Sequence, residues 1–486
     1  MRIRNLVVIC GFLFAGVYAG AQSASSLSPE VREYVKIDAP VIALIHVKLI
    51  DGTGAPARAD QTVVMAGGEI QAVGDSSGVT IPAGAKVLDL HGYSVIPGLV
   101  MMHEHLFYAA GLARNLDGSV AQPIILKELG FSFPRLYLAA GVTYLRTTGS
   151  LEPHTDLNIR QMIEAGTMPG PHMDVTGPYL EGPHSFFAQM HQLTGPEDAR
   201  KLVDFWAGQG VTSFKTYMNI TRAELGAAIE EAHKRNIKVT GHLCSVTQTE
   251  AALLGIDDLE HGPMFVDTEF VPGKQPDQCP SGKAALESLL RQDVNGPAVQ
   301  RMMHTLIDHH VAVTSTLPVF ELDVPGRPAL RKQVLDAMLP QAEINYLQAR
   351  ATRPSPEIAA LFKKEEQFEH EFVQAGGLLL AGCDPTGMGG VLAGFGDQRE
   401  IELLVEAGFT PEQAIHIATY NGAQYEGQLQ HIGTIASGKQ ADLVVIHGDP
   451  SANINDIEKV DTVFKDGVGY DPQKLMESVR GTVGLF

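Results

Sequence analysis

The sequence predicts an α/β protein in which a (β/α)8 barrel of TIM type is joined to a small β-sandwich domain built from both termini. Strand-like and helix-like segments alternate over residues 99–428, as in a parallel barrel. Short β-type runs separated by Gly, Asp and Pro occupy residues 36–98 and recur over 429–486. Histidine, lysine and aspartate residues follow several of the barrel strands, at the end where such barrels carry their chemistry.

Residues 1–21 are typical of a cleavable secretory signal peptide. Arg2 and Arg4 supply the positive charge, residues 6–17 form a short apolar region, and small residues end at Ala21. The apolar region is too short for a transmembrane helix. We therefore expect cleavage after Ala21 and a periplasmic or secreted mature chain.

The β-domain and the barrel are each visible as a series of segments. The N-terminal runs are VIALIHVKLIDGTG, TVVMAGGEIQAVG and AKVLDLHGYSVIPG, and the C-terminal ones are IGTIASGKQADLVVIHGD and VDTVFKDGVGYD. The eight barrel strands are predicted in VIPGLVMMHEH, GVTYLRTTG, HMDVTGPYLEG, VTSFKTY, IKVTGHL, IDDLEHG, VAVTSTLPVF and LLLAGCD. Helices are predicted between them, and the one in TRAELGAAIEEAHKRN opens with a capping box of Thr221 and Glu224.

Composition limits the partners. The 486 residues carry a formal net charge of −20, or −22 once Arg2 and Arg4 are removed with the signal peptide. Nucleic acids bind basic patches, so no nucleic-acid partner is expected. No other stretch can span a bilayer, so no stable membrane insertion is expected. Assembly into a homo-oligomer is compatible with the sequence, because symmetric homo-oligomers are common.

Three cysteines remain in the mature chain: Cys244, Cys279 and Cys383. They allow one disulfide at most, and buried thiols are the simpler interpretation because free cysteine is commonly buried.

Six residues at strand ends predict a metal centre. His103 and His105 stand two apart on one strand, so both imidazoles share a face and can bind one ion. An isolated pair of this kind is weak evidence, and a lone strand-end lysine is usually a surface residue. The ordered series along the chain is a much stronger signal: His103, His105, Lys215, His242, His261 and Asp384.

Other residues are candidates for the substrate pocket. Tyr217 shares a strand face with Lys215 and could donate a hydrogen bond to a developing oxyanion, or simply pack at the barrel mouth. Arg146 ends the second strand and could pair with a substrate carboxylate, or equally form a structural salt bridge. The loop after the third strand supplies His184, Phe186, Phe187 and His191, although loop histidines are more often surface residues.

The motifs together resemble those of the amidohydrolase superfamily over nearly the whole mature chain. VIPGLVMMHEH is similar to the first-strand motif, with Met102 where an aspartate is common, and TYNGAQYEG and IGTIASGKQADLVV are similar to the C-terminal motifs. The resemblance is greatest to the binuclear-metal branch with a carboxylated lysine, which includes Xaa-Pro dipeptidase-like and N-acyl amino acid hydrolase-like members. Arg146 is followed by Thr147 where dipeptidase-like relatives carry aspartate.

This resemblance implies roles for the six residues. His103, His105 and Asp384 would hold one divalent ion, and His242 and His261 a second. Lys215, carboxylated by CO2, would bridge the two ions. Zinc is the first choice from the imidazole and carboxylate ligands, and manganese, cobalt or iron could replace it.

The activity implied is hydrolysis of a C–N amide or peptide bond in a small substrate, a dipeptide or an N-acyl amino acid, by hydroxide held at the two metals. Asp384 would move the proton from water to the leaving amine, and Tyr217 would assist. A cyclic amide such as a lactam, hydantoin or imidazolone is an alternative substrate. A periplasmic binding protein on the same barrel is the non-enzymatic alternative. Residues 321–356, rich in proline, form either a lid or a passive surface excursion.

Overall fold

The computed structural model describes residues 24–108, 122–386 and 389–484. The predicted signal peptide, residues 1–21, lies outside the described residues. The strands are β1 (Val35–Ile37), β2 (Val41–Leu49), β3 (Arg58–Ala66), β4 (Glu69–Asp75), β5 (Lys86–Asp89), β6 (Tyr93–Pro97), β7 (Leu99–Glu104), β8 (Phe107–Tyr108), β9 (Lys127–Glu128), β10 (Val142–Thr147), β11 (His172–Val175), β12 (Ser213–Thr216), β13 (Lys238–Gly241), β14 (Asp258–Glu260), β15 (Ala312–Ser315), β16 (Leu379–Ala381), β17 (Leu443–His447), β18 (Val460–Lys465) and β19 (Val468–Tyr470).

Helices fill most of the connections. The α-helices are α1 (Pro29–Arg32), α2 (Phe133–Ala139), α3 (Pro153–Glu164), α4 (Pro196–Gln209), α5 (Arg222–His233), α6 (Gln248–Leu254), α7 (Pro263–Val266), α8 (Gly282–Leu290), α9 (Pro297–Asp308), α10 (Leu317–Glu321), α11 (Lys332–Ala337), α12 (Pro340–Thr352), α13 (Pro356–Gln374), α14 (Phe395–Glu406), α15 (Pro411–His416), α16 (Gly422–Tyr425) and α17 (Pro472–Ser478). Short 3₁₀ turns span Ala24–Ser26 and Ile454–Glu458, and a π-helical turn spans Ile417–Asn421. None of the helices in the described ranges is both long and apolar enough to cross a membrane.

Helix α5 begins where its sequence predicts. The Thr221 side chain accepts a hydrogen bond from the backbone N–H of Glu224, and the Glu224 side chain accepts one from the backbone N–H of Thr221. This reciprocal capping satisfies two donors that the first turn of a helix leaves unpaired. The predicted capping box is confirmed.

Both ends of the chain contribute to one mixed sheet of nine strands, in the order β1-β19-β18-β17-β6-β2-β3-β4, with β5 also paired to β2. The predicted β-rich unit built from both ends of the chain is confirmed, whereas its two-layer sandwich arrangement stays a prediction. The strands are joined through β2, which pairs along one edge first with β5 and then with β6. Apolar residues from both ends, such as Leu44 and Phe464, share one buried cluster on this sheet.

Eight further strands are all parallel. Three form a sheet in the order β11-β10-β7, and five form a sheet in the order β12-β13-β14-β15-β16. A parallel bridge between Thr176 and Ser213 connects β11 to β12. At the other end, the backbone N–H of Asp384 donates to the His103 carbonyl across 2.9 Å, so the chain leaving β16 meets β7.

Gly382 permits this last approach. A Cβ at this position would lie 2.4 Å from the Cβ of His103 and 2.5 Å from its backbone nitrogen. A side chain there would push β16 away from β7. The two strand ends that carry His103 and Asp384 are thus close because residue 382 is glycine.

Cys244 and Cys279 form a disulfide across a sequence separation of 35 residues, whereas Cys383 is a buried free thiol. The simpler interpretation, that all three cysteines are buried thiols, is therefore wrong for two of them. Sequence alone could not decide this, because pairing depends on a Cα–Cα approach that only the folded chain creates. Disulfides are typical of proteins in oxidising compartments.

Candidate metal centre

The six predicted ligands line one cavity of about 530 Å³. Each of the six residues lies at or just after the carboxyl end of a strand. Because these strands are parallel, their carboxyl ends share one edge, and the six side chains meet there. Five of them are buried, and His242 is half-buried. The sequence spacing therefore brings together His103, His105, Lys215, His242, His261 and Asp384.

The Asp384 carboxylate lies among the histidines. Its Oδ1 is 3.2 Å from His105 Nε2, and its Oδ2 is 3.9 Å both from His103 Nε2 and from His261 Nδ1. Ligand atoms of His103, His261 and Asp384 all fall within 4.8 Å of one another. The His242 ring lies 4.5 Å from the His261 ring. These donor atoms are close enough to one another to bind one or two metal ions in the same cavity.

Two of these residues have strained backbones. His261 has φ +74° and Asp384 has φ +50°, in the left-handed region that non-glycine residues rarely occupy. Such conformations cost on the order of 1–3 kcal/mol each and cluster at functional sites. The Asp384 N–H donates to the His103 carbonyl, and the His261 N–H donates to the Thr314 carbonyl, each across 2.9 Å. These hydrogen bonds to neighbouring strands keep both residues in the left-handed conformation.

Glu260, which the sequence analysis did not single out, organises the layer beneath the ligands. Its Oε2 lies 2.6 Å from His103 Nδ1, which leaves His103 Nε2 facing the cavity. Its Oε1 accepts hydrogen bonds from Arg146 Nη2 at 3.2 Å and from the Thr240 hydroxyl. Lys215 Nζ lies 3.8 Å from the same oxygen. The sequence offered one signal for Glu260: in DLEHG, an acidic residue directly precedes a predicted ligand histidine.

Burial sets the protonation of the site. It lowers the pKa of His103 well below the ordinary value and that of His242 to about 4, and nearby Lys215 adds to both effects. Burial, then His242, lowers the pKa of His261 in the same way. These three imidazoles are neutral near pH 7 and keep a lone pair for a metal.

The two ionisable partners of the histidines respond differently. Burial lowers the pKa of Lys215 to about 8. Burial favours a raised pKa for Asp384, but His103 and His105 outweigh it and hold the pKa below its usual range. Asp384 is therefore an anion beside a lysine that loses its proton more readily than usual.

The donor set fits a divalent metal. His105 Nδ1 is buried and has no hydrogen-bond partner in the described part of the chain, although buried polar atoms are normally paired. Imidazole and carboxylate donors suit zinc, and also manganese, cobalt or iron.

Three of the predicted pocket residues line the cavity: Tyr217, Phe186 and Phe187. The Tyr217 ring lies 5.1 Å from the His242 ring and 5.0 Å from the Tyr179 ring. Burial raises the pKa of Tyr217, so its hydroxyl keeps its proton and can donate. Phe186 is 51% exposed and stands at the rim.

The other three pocket candidates do not line the cavity. Arg146 is fully buried beneath it, where Nε donates to the Met102 carbonyl at 2.9 Å and Nη2 pairs with Asp258 at 2.5 Å as well as with Glu260. The prediction that Arg146 binds a substrate carboxylate is thus corrected to a structural salt bridge. Its side chain points inward, where it meets Asp258 of β14, a strand that is not paired with β10.

The two loop histidines are corrected as well. His184 and His191 are exposed, and His191 Nε2 contacts Asp198 Oδ2 at 2.9 Å instead of the cavity. The loop turns them outward and directs Phe187 inward. Residues that the sequence analysis missed also line the cavity, among them Phe107, Tyr179, Phe320, Arg353 and Thr386.

Glu260→Gln tests the role of Glu260 in orienting His103. We expect the affinity for zinc to fall about 10- to 100-fold, as is usual when the hydrogen-bond partner of a metal ligand is changed. Competition with a chromogenic chelator measures this. Glu287→Gln, at an exposed carboxylate, is the matched control. Zinc affinity equal to wild type in a folded Glu260→Gln protein would contradict the assignment.

Comparison with known proteins supports the sequence resemblance. The model of the Amidohydrolase family matches residues 367–469. No curated protein matches the chain. Solved structures match the chain over most of its length. Their sequence identities to it are low, so these matches show a shared fold only.

Three such structures illustrate the range. A Xaa-Pro dipeptidase with bound methionine in the active site is 20% identical, with a TM-score of 0.66 over 89% of this chain and 100% of that chain. Bottromycin amidohydrolase is 21% identical, with a TM-score of 0.66 over 94% and 93%. A. niger ochratoxinase is 16% identical, with a TM-score of 0.62 over 92% and 100%. The family model therefore matches one C-terminal part of the chain, and the solved structures show that the chain shares their fold.

Proposed function

We propose that the protein is a metal-dependent hydrolase that cleaves the amide or peptide bond of a small substrate, a dipeptide or an N-acyl amino acid. The observation that carries this proposal is the convergence of six strand-end side chains on one cavity. Their donor atoms are those that divalent metals prefer, and three of the imidazoles are neutral.

We propose further that the eight parallel strands close into a (β/α)8 barrel. The bridge between β11 and β12 and the hydrogen bond from Asp384 to His103 support closure at both seams. The placement of all six ligands at the carboxyl ends of the strands is the usual arrangement of active sites in such barrels. An experimental structure in which β16 and β7 lie apart would contradict closure.

Two divalent ions, with zinc as first choice, would be held by the six residues. His103, His105 and Asp384 are assigned to one ion, and His242 and His261 to the other. When bound, such ions lower the pKa of water and polarise the scissile carbonyl. The layer below keeps the ligands in place, since Glu260 fixes the ring of His103 and the Thr316 hydroxyl lies 2.8 Å from His261 Nδ1.

Asp384 is the proposed proton carrier. Its pKa lies below the usual range, so the carboxylate is ionised and can accept a proton from water. Its Oδ1 also accepts a hydrogen bond from the Thr386 hydroxyl at 3.0 Å, which orients the carboxylate at the cavity surface. The same oxygen atoms can return the proton to the leaving amine as the C–N bond breaks. Tyr217 is placed to donate its O–H to the substrate carbonyl oxygen.

Lys215 is proposed to carry a carboxylate derived from CO2. Its amine is buried, has a lowered pKa and lies 3.8 Å from its closest recorded carboxylate oxygen. An unmodified ammonium would repel two cations, whereas a carbamate offers two oxygen ligands. Zinc-loaded protein exchanged with ¹³C-bicarbonate should show a carbamate carbonyl resonance that Lys215→Ala lacks. Identical spectra for the two proteins would contradict the modification.

The cavity supports small substrates with an apolar portion. At about 530 Å³ it has the size of a small-molecule site, and its lining includes Phe186, Phe187 and Phe107. The relatives of the same fold include a dipeptidase that binds methionine in its active site. We therefore place amino acid-containing amides ahead of other amides.

Hydrolysis by the purified, zinc-loaded protein tests the function, followed as amine release from linear amides and as ring opening of cyclic ones. The panel contains Xaa-Pro and other dipeptides, N-acyl amino acids, lactams and hydantoins, each with and without chelator. We expect chelator-sensitive cleavage of at least one linear substrate. If only the lactams or hydantoins are cleaved, the protein is a cyclic-amide hydrolase instead. Binding of panel compounds without turnover in metal-replete protein would favour a binding protein.

Asp384→Asn separates proton transfer from metal binding. The amide keeps one oxygen donor but accepts a proton poorly, so kcat should fall at least about 100-fold while zinc content changes much less. Single-turnover rates and metal analysis of the same preparation measure the two effects. Thr386→Ala, which alters only the orienting hydroxyl, is the control and should lose far less activity. Near-wild-type kcat in Asp384→Asn would exclude the role.

A further inference from the structure

The cavity has one cationic side chain that the metal centre does not use. Among the described residues that line it, Lys215 and Arg353 are the two with basic side chains, and Lys215 lies with the ligands. Most of the remaining wall is apolar, formed by residues such as Ile124, Leu126 and Val319. Arg353 therefore places a guanidinium on a mostly apolar wall.

The fold holds Arg353 at this wall. It lies between the end of α12 and the start of α13, and its Nη2 contacts Asp323 Oδ2 at 2.6 Å. The backbone N–H of Ser355 donates to the Asp323 carbonyl at 3.0 Å, so the same residue anchors the connection. The Arg353 side chain is 37% exposed, which keeps the guanidinium accessible to a ligand.

The pair with Asp323 leaves Arg353 with donors to spare. A guanidinium has five N–H groups in a planar fork, and the bond to Asp323 is made from Nη2. The fork matches a carboxylate in two-point geometry, which is why arginine commonly recognises carboxylates. A carboxylate entering an apolar cavity needs such a partner, because an unpaired buried charge is very costly.

We infer that Arg353 binds the carboxylate of the substrate, and that the substrates are N-acyl amino acids or dipeptides with a free C-terminal carboxylate and an apolar side chain. This inference rests on the proposed function and names its substrate class. It gives Arg353 the role that the sequence suggested for Arg146, which lies buried below the cavity. The apolar side chain of the substrate would contact the phenylalanines that line the cavity.

Matched substrates test the inference by kinetics. N-acetyl-phenylalanine and its carboxamide differ only in the terminal charge. Wild type should prefer the acid, and Arg353→Gln should raise KM for the acid about 10- to 100-fold while changing kcat and the carboxamide kinetics little. Arg353→Lys, which keeps the charge but loses the fork, should fall between the two.

Arg331→Gln is the matched control. Arg331 also lies within residues 321–356, is 38% exposed and pairs with Glu458 at 2.6 Å, but it does not line the cavity. It should leave KM for the acid unchanged. Equal preference for acid and carboxamide in wild type, or an equal loss in Arg353→Gln and Arg331→Gln, would overturn the inference.

A binding measurement separates this inference from the proposed function. Calorimetry with zinc-loaded protein compares 3-phenylpropionate with 3-phenylpropanamide in wild type and Arg353→Gln. Tighter binding of the acid that Arg353→Gln abolishes supports the inference, even if no panel amide is hydrolysed and the proposed function fails. Acid binding that is undetectable, equal to amide binding, or unaffected by Arg353→Gln overturns it, even where hydrolysis is observed.

Discussion

The buried carboxylate of Glu260 is the interaction on which the site depends. It contacts His103 on β7 and Arg146 on β10, accepts from Thr240 on β13, and lies 3.8 Å from Lys215 on β12. Burying a carboxylate costs several kcal/mol unless charged and polar partners satisfy it. Because those partners come from four other strands, satisfying this one group also sets the relative positions of the strand ends that carry the ligands.

A second buried contact ties the two ends of the ligand series together. Glu104, the last residue of β7 and the one between His103 and His105, turns away from the cavity and accepts hydrogen bonds from the backbone N–H and the thiol of Cys383, at 3.0 and 3.1 Å. Burial and the nearby Asp397 raise the pKa of Glu104 well above its ordinary value. Cys383 directly precedes Asp384, so this contact and the glycine at 382 hold Asp384 beside His103. The positions of the ligands thus depend on contacts outside the cavity as well as on contacts inside it.

The chemistry and the selectivity come from different parts of the chain. Residues that would handle the metals and the proton lie on rigid strand ends, where parallel strands bring distant sequence positions together. The wall that would contact the substrate comes from the connections, including the loop of Phe186 and Phe187 and the segment between α12 and α13 that carries Arg353. Such connections can change in sequence without disturbing the strands that carry the candidate ligands.

Much of this organisation is local and was predictable from the sequence. Alternating strands and helices, the capping box of Thr221 and Glu224, and the strand-end positions of the six ligands all follow from short-range periodicity, because residue spacing on a strand or helix decides which face a side chain takes. The resemblance to the amidohydrolase superfamily was also carried by local motifs.

Only the tertiary structure decided which distant residues meet. Arg146 and Arg353 both lie near strand or helix ends, yet the fold buries the first against Asp258 and opens the second to the cavity. The same holds for the disulfide of Cys244 and Cys279, and for β2, whose one edge serves two strands. Such contacts depend on packing between segments far apart in the chain, and no local spacing encodes them.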